Sequence, residues 1–412
     1  MTQLNFGYCF PYALAKDQSA FRELAIRMAP STPIISHSRD EAARLPLTTW
    51  LSQLLVAFII EFDNEFEQRM PHSTTIGSRH GPWLVSMAGW YFMNLVGEQG
   101  VTAGELQQLA LGVTLPLAGM QRWGYVVVAP DPADKRPKPP ARDWLIRPTR
   151  KGSVARELWR PLFGEIEERW QSRFGKETIP RLRGSLTTVV DQFDAVLPDS
   201  LPVLGYGLFA QVLERPGRPA TGSATEMSLP ALLSKVLLTI TLAFEREWPI
   251  SLPVSLNGIR IMNEAGIPLR DLPRLSGVSK EAVGFMLTFL RNQGYVEMAV
   301  DAAVARGKLV RLTPKGLSAQ VANRNRLATI EGQFRSRFGE GNVDSLQECL
   351  LDILERRDGD QPVLAQGLIP PPNCWRARKP YVTQTLAILN DPVAALPHYP
   401  MVLHRGGYPD GS

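Results

Sequence analysis

The feature that most restricts how this chain can fold is that part of it is written twice. Leu145-Ile146-Arg147-Pro148-Thr149-Arg150-Lys151-Gly152 matches Leu309-Val310-Arg311-Leu312-Thr313-Pro314-Lys315-Gly316, and Ile166 to Gly175 (IEERWQSRFG) matches Ile330 to Gly339 (IEGQFRSRFG), both at an offset of 164 residues. Other landmarks keep their order with small insertions: Gly124-Tyr125-Val126 pairs with Gly294-Tyr295-Val296, and Pro202-Val203-Leu204 with Pro362-Val363-Leu364. Matched segments with the same internal spacing imply one supersecondary unit used twice; convergent helix composition is the competing explanation. Between the copies, ERPGRPATGSATE (Glu214 to Glu226) is rich in Pro, Gly and Ser and reads as a linker. The expected organisation is an N-terminal arm over 1–44, a first unit over 45–213, the linker over 214–226, a second unit over 227–368 and a C-terminal extension over 369–412. A chain of 412 residues is long enough for more than one packed core.

The second copy is the clearer text. Leu229 to Trp248 places Leu232, Leu233, Val236, Leu237, Ile240 and Phe244 near helical spacing, which predicts a long amphipathic helix. A short helix is expected around Val254 to Ala265. Pro268 then opens LRDLPRLSG, a brief helix stopped by Gly277, and Ser279 is placed to cap the next helix with its hydroxyl. That helix, KEAVGFMLTFLRNQG, turns Val283, Met286, Leu287 and Leu290 to one face and stops at Gly294. Tyr295 to Met298 and Lys308 to Leu312 are strand-like runs flanking AVDAAVARG, so a hairpin follows, with Asp301, Arg306 and Lys308 near its tip. Thr313 caps a long helix opening at Pro314, where the missing N–H would be unpaired anyway.

Helix, turn, helix, hairpin and long helix is the order of a winged helix, and the phrasing resembles the MarR family of bacterial transcriptional regulators. The resemblance lies in GVSKEAVGFMLTFLRNQGYVE, in Asp301 and Arg306 of the hairpin, and in LVRLTPKG leading into a long helix; it covers most of Met227 to Arg357. It implies a mainly α fold with small β wings, of the α+β class: two tandem winged-helix domains joined by long dimerisation-type helices. Members of that family work as homodimers on palindromic sites, so a tandem chain implies a monomer acting as a pseudo-dimer, and unequal heads would imply an asymmetric operator. Leu47 to Gln68 and Leu229 to Trp248, with Arg156 to Phe174 and Leu317 to Phe338, are the candidates for the shared interface. The resemblance also implies a small, often aromatic, effector. Trp83, Trp90, Tyr91 and Phe92 are candidate lining residues, although such residues at helical spacing also read as core.

A helix enters the major groove only if its outer face carries short polar or cationic side chains. Ser279, Lys280 and Glu281 occupy the first turn of the candidate reading helix. A wing tip needs cations that displace counterions at phosphates, and Arg306 and Lys308 supply them, with Lys315 following at the start of the next helix. In the first copy the hairpin loop DPADKRPKPPARD carries Lys135, Arg136, Lys138 and Arg142 among prolines that should keep it extended. A merely solvated polar loop is the other reading. The first reading helix is also shorter: Gly112 to Gly124 spans 12 positions where Gly277 to Gly294 spans 17, and it contains Pro116. Thr114, Gln121 and Arg122 are its candidate contacts, and the shortening leaves open whether this head touches backbone only, reads other bases, or serves structurally.

Composition suits a polyanionic partner without requiring one: 45 Lys and Arg against 40 Asp and Glu give a formal charge of +5. Three cysteines (Cys9, Cys349, Cys374) are too scattered for a disulfide framework or a zinc pair. The N-terminal MTQLNFGYCFPYALAKDQ lacks the pattern of a secretory signal, and no run of about 18 apolar residues occurs, so a soluble cytoplasmic protein without membrane contact is expected. Five histidines (His37, His72, His80, His398, His404) show no HExxH spacing, and GxSxG, GxGxxG and GxxxxGK are missing. No catalytic residue, metal or cofactor is therefore expected, and an enzyme is the weakest reading. His398 and His404 are expected at the surface or in a tail. The C-terminal extension, with PPPNCWRARKP and HYPMVLHRGGYPDG, reads as irregular arms that brace the units or add backbone contacts. The function these features favour is sequence-specific binding of double-stranded DNA by a transcriptional regulator gated by a small molecule. The alternative is a protein-interaction module that uses winged helices without binding DNA.

Overall fold

The computed structural model describes residues 45–70, 87–111, 117–199, 223–248, 250, 255–277, 280–301, 307–371, 377 and 382–399. They form a mainly helical fold with small antiparallel sheets. The first half runs α1 (Leu47–Arg69), α2 (Met87–Leu95), β1 (Val101–Thr102), α3 (Ala103–Leu109), α4 (Leu117–Arg122), β2 (Val126–Ala129), β3 (Leu145–Pro148), α5 (Arg150–Phe174) and α6 (Thr178–Val190). The second half runs α7 (Leu229–Glu247), a helical turn at Asn257–Ile259, β4 (Ile267–Pro268), α8 (Leu272–Ser276), α9 (Lys280–Asn292), β5 (Val296–Asp301), β6 (Gly307–Leu312), α10 (Pro314–Phe338) and α11 (Glu340–Glu355). The small hairpin β7 (Arg357–Asp358) and β8 (Gln361–Pro362) follows, then α12 (Ala365–Leu368), α13 (Val382–Asn390) and α14 (Pro392–Ala395).

Each half holds a three-stranded sheet in which the last strand lies between the other two, in the orders β1-β3-β2 and β4-β6-β5. The registers correspond, with the middle strands at the repeat offset of 164 and small insertions shifting their neighbours. Val101 faces Ile146 as Ile267 faces Val310, and Val126 faces Pro148 as Val296 faces Leu312.

The repeated Thr-x-Lys-Gly text builds the same joint in both halves. Thr149 and Thr313 each accept a hydrogen bond from the N–H of Gly152 or Gly316 at 3.0 Å, capping α5 and α10. Their hydroxyls donate to the Gly124 and Gly294 carbonyls at 2.6 and 2.7 Å. Lys151 and Lys315 donate to the carbonyls of Trp123 and Gln293 at 2.9 and 2.7 Å. A Cβ on Gly152 or Gly316 would run into the carbonyl oxygen of Tyr125 or Tyr295, so only glycine lets the long helix begin this close to the strand entry.

Helix α7 goes beyond the amphipathic helix that its spacing predicts, and α1, named with it as a candidate for the shared interface, does the same. Both are buried on nearly every side, down to Ser52, Gln53, Glu61 and Asp63 in α1 and Ser234, Lys235 and Thr241 in α7. The cause is their position: α1 packs against α5 of its own half and α11 of the other, while α7 packs against α10 of its own half and α6 of the other. Two of the buried charges on these helices are visibly paired. Glu61 accepts from Trp170 Nε1 at 2.8 Å and from Arg173 at 2.9 and 3.0 Å, and Lys235 meets Asp199 at 2.9 Å.

The most extensive helix contact joins α6 to α11, a pairing the sequence did not reveal. Ile179, Leu182, Leu186 and Val189 meet Val343, Leu346, Leu350 and Ile353, all fully buried. Each such side chain contributes roughly 1.5–3 kcal/mol. Polar contacts fix the register, with Thr178 Oγ1 donating to Asp352 at 3.0 Å and Asn342 Nδ2 to the Ser185 carbonyl at 3.3 Å.

The C-terminal extension also departs from expectation. Residues 382–399 are not irregular arms: α13, α14 and the following segment are largely buried. Gln53 Nε2 on α1 donates to the Val393 carbonyl at 2.7 Å, and Asn257 Oδ1 accepts the N–H groups of His398 and Tyr399 at 2.9 and 3.2 Å. His398, expected at the surface, is only 4% exposed. His404 lies outside the described residues. Among the described residues no helix is long and apolar enough to cross a membrane.

Candidate nucleic-acid interface

In the second half the candidate surface is built on α9. Gly277, at φ +74°, closes α8 in the left-handed region. Val283, Met286 and Leu290 then face inward, and Met286 seats against Gly258, where any Cβ would overlap its thioether. The opposite face leaves Lys280, Gly284, Thr288 and Arg291 exposed. At spacings of four, four and three residues these positions form one stripe, about 16 Å long at 1.5 Å per residue. Nothing lies within 4 Å of where a Gly284 side chain would begin, so the middle of the stripe is open to close approach.

The hairpin stands beside this helix. Lys308 on β6 is exposed and faces Val300 on β5. A groove of about 390 Å³ separates α9 from the hairpin, lined by Leu287, Thr288, Arg291, Met298, Val300 and Lys308 among others. The structure thus brings Arg291 and Lys308 to one groove, with Lys280 at the far end of the same helical stripe. Thr288 and Arg291 were missed by the sequence reading, although both share the 3.6-residue periodicity of Lys280.

No family model, no curated protein and no solved structure matches the chain.

Several expected contacts fall elsewhere. Ser279, Arg306, Thr114 and Trp83 lie outside the described residues, as does the side chain of Glu281, whose backbone belongs to α9. Lys315 is exposed, but its ammonium is 4.8 Å from the Tyr295 ring centre and donates to the Gln293 carbonyl, so it closes the C-terminal end of α9. That position suits the helix dipole.

The first half presents a different surface. Its α4 has six residues against thirteen in α9, with Met120 buried and Gln121 and Arg122 exposed. The Arg122 guanidinium lies 5.7 Å from the Trp123 ring centre. The loop between β2 and β3 is not the extended arm that its prolines predict. Arg136 donates to Asp134 at 2.6–3.0 Å and to Asp143 at 2.8 Å, and these hydrogen bonds hold the Asp134 carboxyl below its usual range. The return limb forms a 3₁₀ turn at Ala141–Asp143 and folds over α3, with the Ala103 N–H donating to the Trp144 carbonyl at 2.9 Å. Arg136, though exposed, is therefore paired within the loop, and Arg142 lies 3.6 Å from Asp143, whereas Lys135 and Lys138 stay exposed.

The candidate effector residues behave as core. Trp90 is half-buried at 5.6 Å from Phe163, and Tyr91 is buried, which pushes its hydroxyl pKa up. Among the described residues no group of His, Cys, Asp and Glu could hold a metal ion.

Proposed function

We propose that the chain is a sequence-specific, double-stranded-DNA-binding transcriptional regulator made of two winged-helix units, 45–213 and 227–368, which form a single-chain pseudo-dimer like the MarR dimers its sequence resembles. The observation that carries this reading is the Lys280-Gly284-Thr288-Arg291 stripe with Lys308 across the groove. A helix about 10–12 Å across fits a major groove about 12 Å wide, and such a stripe would lie along its floor. Arg291 has the fork that reads guanine, Thr288 suits either hydrogen bonding or a thymine methyl, and Lys308 suits a phosphate. The matching joints and sheet registers support the duplication, and the reciprocal packing of α1, α7, α6 and α11 supports two heads held at fixed spacing. The short α4 and the pairing of Arg136 with Asp134 and Asp143 within its loop support unequal heads and an asymmetric operator. A cytoplasmic, non-enzymatic regulator gated by a small molecule completes the proposal.

Selection of bound duplexes from a random pool, followed by anisotropy titration, tests it. One chain should bind per site. Lys280→Ala and Arg291→Ala should each lower affinity for the selected site, by about tenfold for Arg291 if it pairs with a base. Lys308→Ala should weaken all duplexes alike and reduce the salt slope by about 1. Equal affinity for every duplex, unmoved by these substitutions, would refute the assignment. The exposed Met298 and Val300 (79% exposed) beside the groove favour the second reading, a protein-binding surface. Its mark would be no DNA affinity even at low salt.

A further inference from the structure

A space of about 910 Å³ lies where the chain enters α1, with Leu45 in its wall beside Leu256, Ile259 and Leu327. Three polar side chains of the same wall, Thr49, Trp50 and Asn323, are at most 3% exposed. Thr49 Oγ1, Trp50 Nε1 and both amide atoms of Asn323 have no hydrogen-bond partner among the described residues. Buried polar groups are ordinarily satisfied, so this set marks a place where something else completes them. At the repeat offset of 164, Asn323 corresponds to Trp159 and Leu327 to Phe163. The first half fills the matching region with rings, Trp159 stacking on Phe66 at 4.5 Å and Phe163 lying 4.7 Å from Phe62.

The chemistry of the missing neighbour follows from the unpaired atoms. A side-chain amide with both its NH₂ and its carbonyl unpaired is complementary to a peptide group, which offers one acceptor and one donor. Trp50 Nε1 can only donate, and a peptide carbonyl suits it as well. Arg260 lines the same space and donates to the carbonyls of Leu275 and Ser276 at 3.3 and 3.2 Å. Its Nε is buried without a partner, and no carboxylate among the described residues pairs with it. Glu331, the carboxylate of the wall, already accepts from the Leu47 N–H and Gln347 Nε2. The space therefore suits a stretch of polypeptide with apolar side chains and a carboxylate of its own.

Such a stretch stands directly before Leu45. Residues 1–44 lie outside the described residues, and their last part reads Pro33-Ile34-Ile35-Ser36-His37-Ser38-Arg39-Asp40-Glu41-Ala42-Ala43-Arg44. At roughly 3.5 Å per residue, Glu41 can reach about 14 Å from Leu45 and Ile35 about 35 Å. The isoleucines match the apolar wall, and the two carboxylates match Arg260 and the exposed Arg324 of the same wall.

We infer that residues 33–41 of this chain occupy the space: Ile34 and Ile35 against its apolar side, Asp40 and Glu41 toward Arg260 and Arg324, and peptide groups between them completing Asn323 and Trp50. The docked segment fastens the start of α1, in the first half, to α10 of the second. This docking does not depend on DNA binding.

Hydrogen exchange of the full chain, followed by mass spectrometry, tests it. Amides of residues 34–41 should exchange at least about tenfold more slowly than in an unprotected peptide. Asn323→Trp fills the space as the first half does and should abolish that protection. If circular dichroism shows that Asn323→Trp does not fold, Asn323→Leu takes its place and should raise exchange of the segment about tenfold, as should the pair Asp40→Asn and Glu41→Gln. Unprotected amides in the wild-type chain, or protection indifferent to these variants, would overturn the inference. So would protection that grows with protein concentration, which would assign the occupant to a second copy, and protection gained only on adding benzoate, which would assign the space to a soluble ligand.

Discussion

At Gly152 and Gly316 the decisive quantity is space. Both sit in the first turn of a helix, where any β-carbon meets a carbonyl oxygen of the preceding joint. Gly316→Ala should lower stability by about 1–3 kcal/mol as an overpacked contact, read as a lower urea midpoint; an unchanged midpoint would mean that the start of α10 can shift freely. The capping role of Thr313 and the tolerance for Pro314 were legible in the sequence, because capping is a local event. The job of Lys315 was not, since an exposed lysine after a hairpin reads equally well as a phosphate contact. A second residue-level consequence concerns acid. Asp134 has a lowered native pKa, so the order its pairing with Arg136 lends the loop is fully present above the ordinary Asp range near 3.9 and is lost as pH falls through the native value. Fluorescence of Trp144, which caps the same loop by donating to the Pro139 carbonyl at 3.1 Å, should report that loosening in acid. Its persistence in Arg136→Gln at neutral pH would show that the clamp is dispensable.

Among the elements, α9 was read correctly in its inward face, because Val283, Met286 and Leu290 recur with the helical period. Its outward stripe was only half legible: Lys280 lies in the first turn, and Thr288 and Arg291 continue the exposed face further along. Helices α1 and α7 show the opposite problem. The apolar spacing of α7 predicts one buried face, yet the few polar residues between are buried as well, there and in α1, because neighbours from both halves cover them. The C-terminal segment went unread because α13 and α14 are short and lie beyond proline-rich text, and their burial comes from α1 and the Asn257 turn. Asn257→Ala should test that docking. It leaves the N–H groups of His398 and Tyr399 without their acceptor, at a cost of roughly 1–3 kcal/mol, and hydrogen exchange at these two amides should accelerate. Unchanged protection would mean that the segment is held by its apolar contacts alone.

For the whole molecule the governing fact is exchange. Each half supplies a helix to the core of the other, so buried residues from both halves belong to one continuous cluster. Thermal unfolding should therefore follow one cooperative transition. Residues 1–213 and 214–412 produced separately should be poorly folded by circular dichroism and should recover helical signal when mixed. Two halves that fold alone would contradict a shared core. Among the described residues a space of about 910 Å³ opens beside Asn323, where the first half buries Trp159 at the corresponding position, and such differences matter only once the surrounding helices are assembled.

The sequence by itself determined what is local or periodic: the repeat, the caps at Thr149 and Thr313, the stops at Gly277 and Gly294, the hairpins and the inward face of α9. Tertiary structure alone decided the partners. It paired α6 with α11, buried α1 and α7 all round, docked residues 382–399, folded the first loop back on itself and opened the cavity at Asn323. The physical reason is that hydrophobic burial is non-directional and scales with area, so a sequence marks which side chains leave water without naming what they meet.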